Sequence, residues 1–348
     1  MSTDVVIVGA GPCGLFQVFE LGLLDLKSVV VDSISSAGGQ CVELYPDKPI
    51  YDIPAIPECT GQELVDSLMK QIEPFGARLL LGQEVTEVEP QPTAEGEAGF
   101  KVVTATGQVI HCRAVVIAGG LGSFQPRRLR APGAEEFEDI SLHYRVRNPE
   151  QYAGKRLMIL GGGDSALDWV IALVDIAERI TLVHRRDGWR AVDASVNKMK
   201  ALVSEGRMDL FENARVKSMR GKNGQLQHVE LINRAGEPVA DLDIDHAMAF
   251  FGLAPKLGPI AHWGAEIKGK SLPVDTEKFQ TSVAGIYAVG DINTYPGKKK
   301  LILSGFHEAA LAAFAIKKQI FPDQKVHLQY TTTSPVMHER LGVSPEEQ

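Results

Sequence analysis

The sequence predicts an α/β protein made of two Rossmann-like, three-layer dinucleotide-binding domains, each with a small antiparallel meander. Three observations carry this. An apolar run, V-V-I-V at 5–8, drives into G-A-G-P-C-G, which places Gly9, Gly11 and Gly14 between a strand and a helix. The same strand–turn–helix–strand unit returns at 156–186, where L-M-I-L runs into Gly161, Gly163, Asp164 and Ser165. Alternating segments at 85–112 and 209–250 read as the meanders.

Taken in order, the chain predicts a strand at 4–8, a helix at 12–22 and a strand at 28–32. A polar, glycine-rich loop follows and ends at Tyr45 and Pro46. Pro49, Pro54 and Pro57 argue against regular structure there. Residues 61–74 show a helical stripe of Leu64, Leu68 and Ile72. A strand at 79–81 precedes the first meander, whose exposed turn is 90–99. A buried strand then leads to Gly119 and Gly120, and a connector carries Arg127, Arg128 and Arg130. After the second glycine turn come a helix from Leu167, a strand at 180–183 and a helical stretch at 190–204. Residues 285–291 form a last buried strand ending in Gly290 and Asp291, and 304–320 an alanine-rich helix. The domain divisions expected from this pattern are 1–122, 123–250 and 251–348, the outer segments forming one domain.

With 348 residues, 44% hydrophobic and 23% charged, the chain has the composition of a globular enzyme. A net charge of −8 argues against a nucleic-acid partner, which requires a basic face. The opening residues show no basic leader, and no apolar run reaches the roughly 18 residues of a membrane span. A cytoplasmic protein is expected. Cys13, Cys41, Cys59 and Cys112 form no C-x-x-C and no zinc-like spacing with histidine, so reduced thiols and no metal are expected.

The two glycine turns differ where it matters chemically. In each, the second strand ends 23 residues after the first glycine. In the first unit that residue is Asp32, an acceptor for a ribose diol and repulsive to a 2′-phosphate. In the second it is His184, followed by Arg185 and Arg186, which offer positive charge and guanidinium forks to a 2′-phosphate. The first site therefore suits an ADP moiety such as that of FAD, and the second suits NADP.

Five ordered motifs span nearly the whole chain: G-A-G-P-C-G, G-G-Q at 38–40, A-G-G at 118–120, G-G-G-D-S-A with H-R-R, and Y-A-V-G-D at 287–291. Together they resemble the two-dinucleotide flavoprotein reductases, in particular the thioredoxin reductase branch. The cysteine pair of that branch is missing here: 141–146 reads S-L-H-Y-R-V. The glutathione reductase branch has its pair after G-G in the first domain, where this chain has only Cys41. A disulfide relay needs two thiols, so both chemistries are disfavoured. What remains resembles the thioredoxin-reductase-like ferredoxin–NADP⁺ reductases of bacteria, among whose recurring stretches G-G-Q-x-x-x-L-Y-P fits 38–46.

That resemblance implies a homodimer with one non-covalent FAD per subunit, NADPH as substrate, and ferredoxin or flavodoxin as partner. It implies that Asp32 and Gln40 hold the FAD ribose and its neighbouring atoms, and that Tyr45 stacks on one flavin face. Val85 meets the adenine through its backbone, Phe124 lies near the flavin, and Asp291 bonds the ribityl chain. A C-terminal aromatic ring, mapped to Tyr330, covers the other face, followed by a hydroxyl at Thr332. Hydride passes from NADPH to flavin, and single electrons pass from flavin to an iron–sulfur protein, with no acid–base residue required. Basic docking residues are expected among Lys298, Lys299, Lys300, Arg127, Arg128 and Arg130. His143 and His184 are expected to be structural or phosphate-side residues rather than metal ligands. A disulfide reductase, a flavin oxidase or monooxygenase of the same fold, and a non-enzymatic flavin sensor remain open.

Overall fold

The computed structural model describes residues 1–46, 48–93, 96–146, 148–326 and 330–343, with the backbone alone at 123–126 and 253–255. The chain forms two compact units, Met1–Phe124 with Pro255–Gln348, and Gln125–Ala254.

The first unit begins with β1 (Val5–Val8), α1 (Pro12–Leu23) and β2 (Ser28–Val31). Next are a short α2 (Gln40–Leu44), the two-residue strands β3 (Pro49–Ile50) and β4 (Cys59–Thr60), and α3 (Gly61–Ile72). Strand β5 (Arg78–Leu80) leads to the meander β6 (Val85–Pro90), β7 (Phe100–Thr104) and β8 (Val109–Cys112), then β9 (Ala114–Ile117). Pairing of β1 with both β2 and β9 is parallel, with Val5 level with Ser28 and Ala114. Both faces of these strands are covered, which is why they read as unbroken apolar runs.

The alternation along β1 sorts its side chains into two cores. Val5 and Ile7 pack with Leu15 and Val18 of α1 and Leu64 of α3. Val6 points the other way, with Val102 and Ile110 of the meander. Helices, sheet and meander thus make three layers.

Past the segment β10 (Ser123–Pro126), the second unit repeats this plan. It contains β11 (Leu142–His143), β12 (Arg156–Gly161), α4 (Asp164–Leu173), β13 (Arg179–His184), α5 (Asp193–Ser204) and β14 (Met208–Glu212). The meander β15 (Ala214–Lys222), β16 (Gln225–Asn233) and β17 (Pro238–Asp243) precedes β18 (His246–Phe250). The sheet order is β11-β18-β12-β13-β14. Leu157 and Ile159 face α4 and α5, whereas Met158 and Leu160 face the meander. Arg156 pins β12 to the turn before β18 through a fork on Asp245, Nε to Oδ2 at 3.2 Å and Nη2 to Oδ1 at 2.7 Å.

The chain returns through β19 (Leu253–Lys256), β20 (Leu272–Pro273), β21 (Ile286–Ala288) and β22 (Asn293–Thr294). It ends in α6 (Ile302–Ile320) and α7 (Pro335–Arg340). Strand β21 completes the first sheet in the order β21-β9-β1-β2-β5.

Three expectations need correction. The loop after β2 contains α2, a helix too short to show a period. The proline-rich segment is not wholly irregular: β3 and β4 pair antiparallel, with Pro49 at the start of a strand, where its missing N–H is tolerated. The strand at 285–291 stops at Ala288, and Gly290–Ile292 form a 3-10 turn instead.

Helix α3 starts with a reciprocal cap. Glu63 N–H donates to Thr60 Oγ1 at 3.1 Å, and Thr60 N–H donates to Glu63 Oε2 at 2.8 Å. Replacing Thr60 with Ala removes the first of these bonds and is expected to cost about 1 kcal/mol. Faster amide exchange in the first turn of α3, with that of β1 unchanged, is the expected outcome. The backbone bond holds the Glu63 carboxyl below its ordinary value. Its part of the cap is present above the ordinary carboxylate range and fades as pH falls through its lowered pKa.

Candidate functional site

In the first unit a cavity opens at the carboxyl ends of β1, β2 and β9, beside the turn that follows β21. This is where open parallel sheets bind ligands. Its floor is the first glycine turn. Gly9 has φ +115°, and a Cβ there would lie 2.4 Å from Ala118 O. A Cβ on Gly14 would lie 1.9 Å from Gly9 O, so Gly14 sits beneath the cavity and lets α1 close onto β1. Gly11, by contrast, faces open space: a Cβ there meets nothing within 4 Å. Two glycines permit contact within the protein, and the third leaves the backbone bare to an incoming group. The start of α1 then presents amide N–H groups into the same space.

The cavity brings together Gly9, Gly11, Asp32, Gln40, Tyr45, Val85, Gly290 and Asp291 from five separate stretches of chain. Asp32 is fixed by backbone donors: Ala10 N–H to Oδ2 at 2.6 Å and Ile34 N–H to Oδ1 at 2.8 Å. Burial still raises its pKa, with the two N–H bonds opposing. Asp291 is also pushed up by burial, while Lys300 and Lys298 pull it down. Tyr45 is half-buried, its hydroxyl 3.7 Å from Cys41 Sγ, and burial raises its pKa.

Sequence reasoning left out other residues of this cavity: Cys13, Gln83, Glu84, Trp263 and Lys300. Gln83 has a local signal, since it follows β5 and its N–H bonds Asp32 O at 2.8 Å. Trp263 has none, because it arrives from a distant 3-10 turn. Cys13 was in view only as a thiol within the motif. All four cysteines are free. Burial pushes Cys13 up to about 12, with Asp291 and Glu308 adding to it, and burial raises Cys41 as well. Neither thiol is poised to become the thiolate that exchange chemistry needs.

Several expected residues are placed elsewhere. Tyr330 is 66% exposed, and neither it nor Thr332 lines the cavity. The tail is held at the far end of α1, where Arg340 donates to Leu23 O, while the cavity lies at the near end. The side chain of Phe124 lies outside the described residues. Lys298 is not a surface lysine: its side chain is 6% exposed and pairs with Glu308, which has no exposure. Arg128 is committed to an ion pair with Glu138.

The second unit carries its own glycine turn. A Cβ on Gly161 would lie 2.7 Å from Ala166 Cβ and 2.8 Å from Phe250 O. Here the third glycine of the motif is Ala166, whose methyl occupies the space Gly161 leaves. Gly163 again faces open space and caps α4. Asp164 Oδ1 accepts Val192 N–H at 2.9 Å, and Arg190 N–H donates to Gly162 O at 2.8 Å, so residues 190–192 fold back over the turn. His184 is buried beneath Gly162, stacked on Trp189 at 4.7 Å, with Nε2 3.0 Å from Gly188 O. It supports the turn, whereas Ser165, Arg185 and Arg186 are exposed beside it. His143 packs against His246 and Tyr152. Among the described residues no group of three or more metal-ligating side chains is assembled, and no helix is long and apolar enough to cross a membrane.

Residues 3–313 match the family described as pyridine nucleotide-disulphide oxidoreductase. A ferredoxin–NADP reductase of Polaromonas sp. strain JS666 is 57% identical over 348 residues, covering 99% of this chain and 93% of the relative. One from Methylibium petroleiphilum is 56% identical over 347 residues, with the same coverage of 99% and 93%. Among solved structures, thioredoxin reductase of T. acidophilum superposes with a TM-score of 0.74 at 23% identity, covering 92% of this chain and 99% of that one. The bacillithiol disulfide reductase of Staphylococcus aureus gives 0.74 at 16% identity, covering 93% and 100%. At such identities these structures establish the fold.

The glycine geometry predicts opposite outcomes at two neighbouring positions. Gly14→Ala forces α1 away from β1 and should cost about 1–3 kcal/mol or more. Gly11→Ala points into the cavity and should stay within about 0.5 kcal/mol of the parent. Denaturant unfolding of the first unit, followed by a local probe, distinguishes them.

Proposed function

The chain belongs to the pyridine nucleotide-disulphide oxidoreductase family, among its ferredoxin–NADP reductases, and from that premise we propose that it passes electrons between NADPH and ferredoxin through FAD. The observation that carries this reading is the asymmetry of the two glycine turns. The first closes on Asp32 inside a cavity deep enough to bring Tyr45 and Asp291 to the same ligand. The second is flanked by two exposed arginines.

The residues of the first cavity fit FAD. Gly11 and the start of α1 receive the pyrophosphate, Asp32 accepts from the ribose with Gln40 beside it, and Val85 borders the adenine. Tyr45 would stack on the flavin ring, and Gly290 and Asp291 would hold the ribityl chain. FAD, when bound, supplies the exchange between hydride pairs and single electrons. The protein's task is to hold, orient and shield it, and no proton-transferring side chain is assigned.

In the second unit Gly161, Gly163, Asp164 and Ser165 form the phosphate-binding turn, and Arg185 and Arg186 take the 2′-phosphate of NADPH. His184 holds that turn in shape. A disulfide relay needs two neighbouring thiols, and the chain has no C-x-x-C, which favours a protein carrier over a disulfide as the acceptor.

The partner is ferredoxin, with flavodoxin as an alternative carrier, and the enzyme works as a homodimer in the cytoplasm. With Lys298 buried and Arg128 paired, docking charge falls to the exposed Lys299 and Lys300 near the cavity rim, and to Arg127 and Arg130. Leu303, three residues after Lys300 in sequence, is 45% exposed.

Two measurements test this. In ferredoxin-coupled cytochrome c reduction, NADPH should far outpace NADH, and replacing both Arg185 and Arg186 with Ala should raise the KM for NADPH by roughly 10- to 100-fold with little change for NADH. Equal use of both nucleotides by the parent would sink the assignment. Lys299→Glu should raise the ferredoxin KM by roughly 3- to 10-fold at low salt, and the effect should shrink as salt screens it.

A further inference from the structure

Glu308 is a fully buried carboxylate in the middle of α6, where an apolar residue would ordinarily sit. Four donors converge on it. Gly290 N–H and Asn293 Nδ2 reach Oε2, both at 2.8 Å, and Tyr295 Oη reaches Oε1 at 2.9 Å. The fourth is Lys298 Nζ, which also donates to Gly290 O at 2.9 Å. One ion pair therefore grips Gly290 by both of its backbone groups, the N–H through the acid and the carbonyl through the base.

Gly290 has little room to move. Its φ is +78°, and a Cβ there would lie 3.1 Å from Cys13 Sγ. On the other side, a Cβ on Gly305 of α6 would lie 2.2 Å from the same sulfur. The turn is thus pressed between the starts of α1 and α6, and its next residue is Asp291, which lines the cavity. Burying an ion pair contributes little net stability, because desolvation offsets the attraction. What the pair does supply is a unique placement of the peptide that precedes Asp291.

We propose that Glu308 and Lys298 are positioning residues for cofactor binding: together they clamp Gly290 and so set the Asp291 carboxylate against the bound dinucleotide. The proposal rests on the reading of the first cavity as the FAD site. Neither side chain lines that cavity; their opposite charges offset each other at Asp291, and their hold on it runs through the Gly290–Asp291 backbone.

The test uses the purified enzyme and three variants. Glu308→Gln keeps the shape but loses the charge and one acceptor. Lys298→Met keeps the length but loses the ammonium, and Lys298→Arg restores a cation. Dissociation of FAD, the visible spectrum of the bound flavin, and amide exchange over 289–293 are measured for each. Glu308→Gln and Lys298→Met should each weaken FAD by roughly tenfold or more, shift the flavin absorption band and speed exchange at 289–293. Lys298→Arg should recover most of all three. Faster exchange with unchanged FAD affinity and spectrum would overturn the proposal, because the clamp would then hold the turn without serving the ligand. Unchanged exchange would overturn it too, because the pair would not hold the turn.

Failure of the parent enzyme to bind FAD would refute the cavity's assignment, while the exchange measurement would still judge the clamp. Should Glu308→Gln not fold, Tyr295→Phe removes a single donor from Oε1 and keeps the ring beside Phe279 at 5.6 Å. It should move all three readouts in the same direction by less, and no movement would count against the clamp.

Discussion

The constraint on which the first site depends is the distance between α1 and β1. Gly14 can sit against Gly9 O only because it lacks a Cβ, and Gly9 can take its positive φ beneath Ala118 O for the same reason. That contact draws the start of α1 down to the edge of the sheet. Ala10 N–H then reaches Asp32 at 2.6 Å, tying the end of β2 to the same turn. Gly38 N–H bonds Ala10 O at 2.8 Å and brings in the loop carrying Gln40 and Tyr45. A backbone approach that no other residue type permits thereby organises side chains from three segments around one space.

The second unit solves the same problem with different atoms. In the first turn the Cβ position of Gly14 is taken up by Gly9 O, whereas in the second Ala166 carries a methyl and lies against the bare Cα of Gly161. His184 stands where Asp32 stands, yet its imidazole packs upward against Gly162 rather than waiting for a ligand. The exposed positive charge lies one and two residues onward, on Arg185 and Arg186. Homologous positions in a duplicated unit can share a backbone role while dividing the chemistry differently.

This explains how far the sequence could be read. Both three-layer units were legible because β1 and β12 obey the same alternation, with Val5 and Ile7, or Leu157 and Ile159, toward helices and their neighbours toward a meander. Eight of the residues expected around FAD line one cavity: motif spacing marks Gly9, Gly11 and Asp32 at strand ends, while the roles of Gln40, Tyr45, Val85 and Asp291 come from the family resemblance. What escaped depends on contacts between distant segments. A run of three lysines looks like a solvated cationic loop, and nothing local tells that the first turns inward toward a glutamate on the next helix. Tyr330 follows a similar rule: its place is decided by where α7 docks on α1, which neither the tail's composition nor its register reveals.

Lys298 and Lys299 show how differently two neighbouring lysines of one loop can be placed. The first is desolvated, and its charge is spent within the protein on Glu308 and the Gly290 carbonyl. The second remains exposed on a chain whose net charge is −8. A partner that is itself acidic meets overall repulsion from such a protein, so attraction must come from a few local cations acting within about 10 Å at ordinary salt. In the proposed docking arrangement, cations placed directly after the turn that carries Asp291 hold the partner near the rim of the cavity. The backbone that presents Lys299 is anchored at the preceding residue, where Lys298 pairs with the buried Glu308.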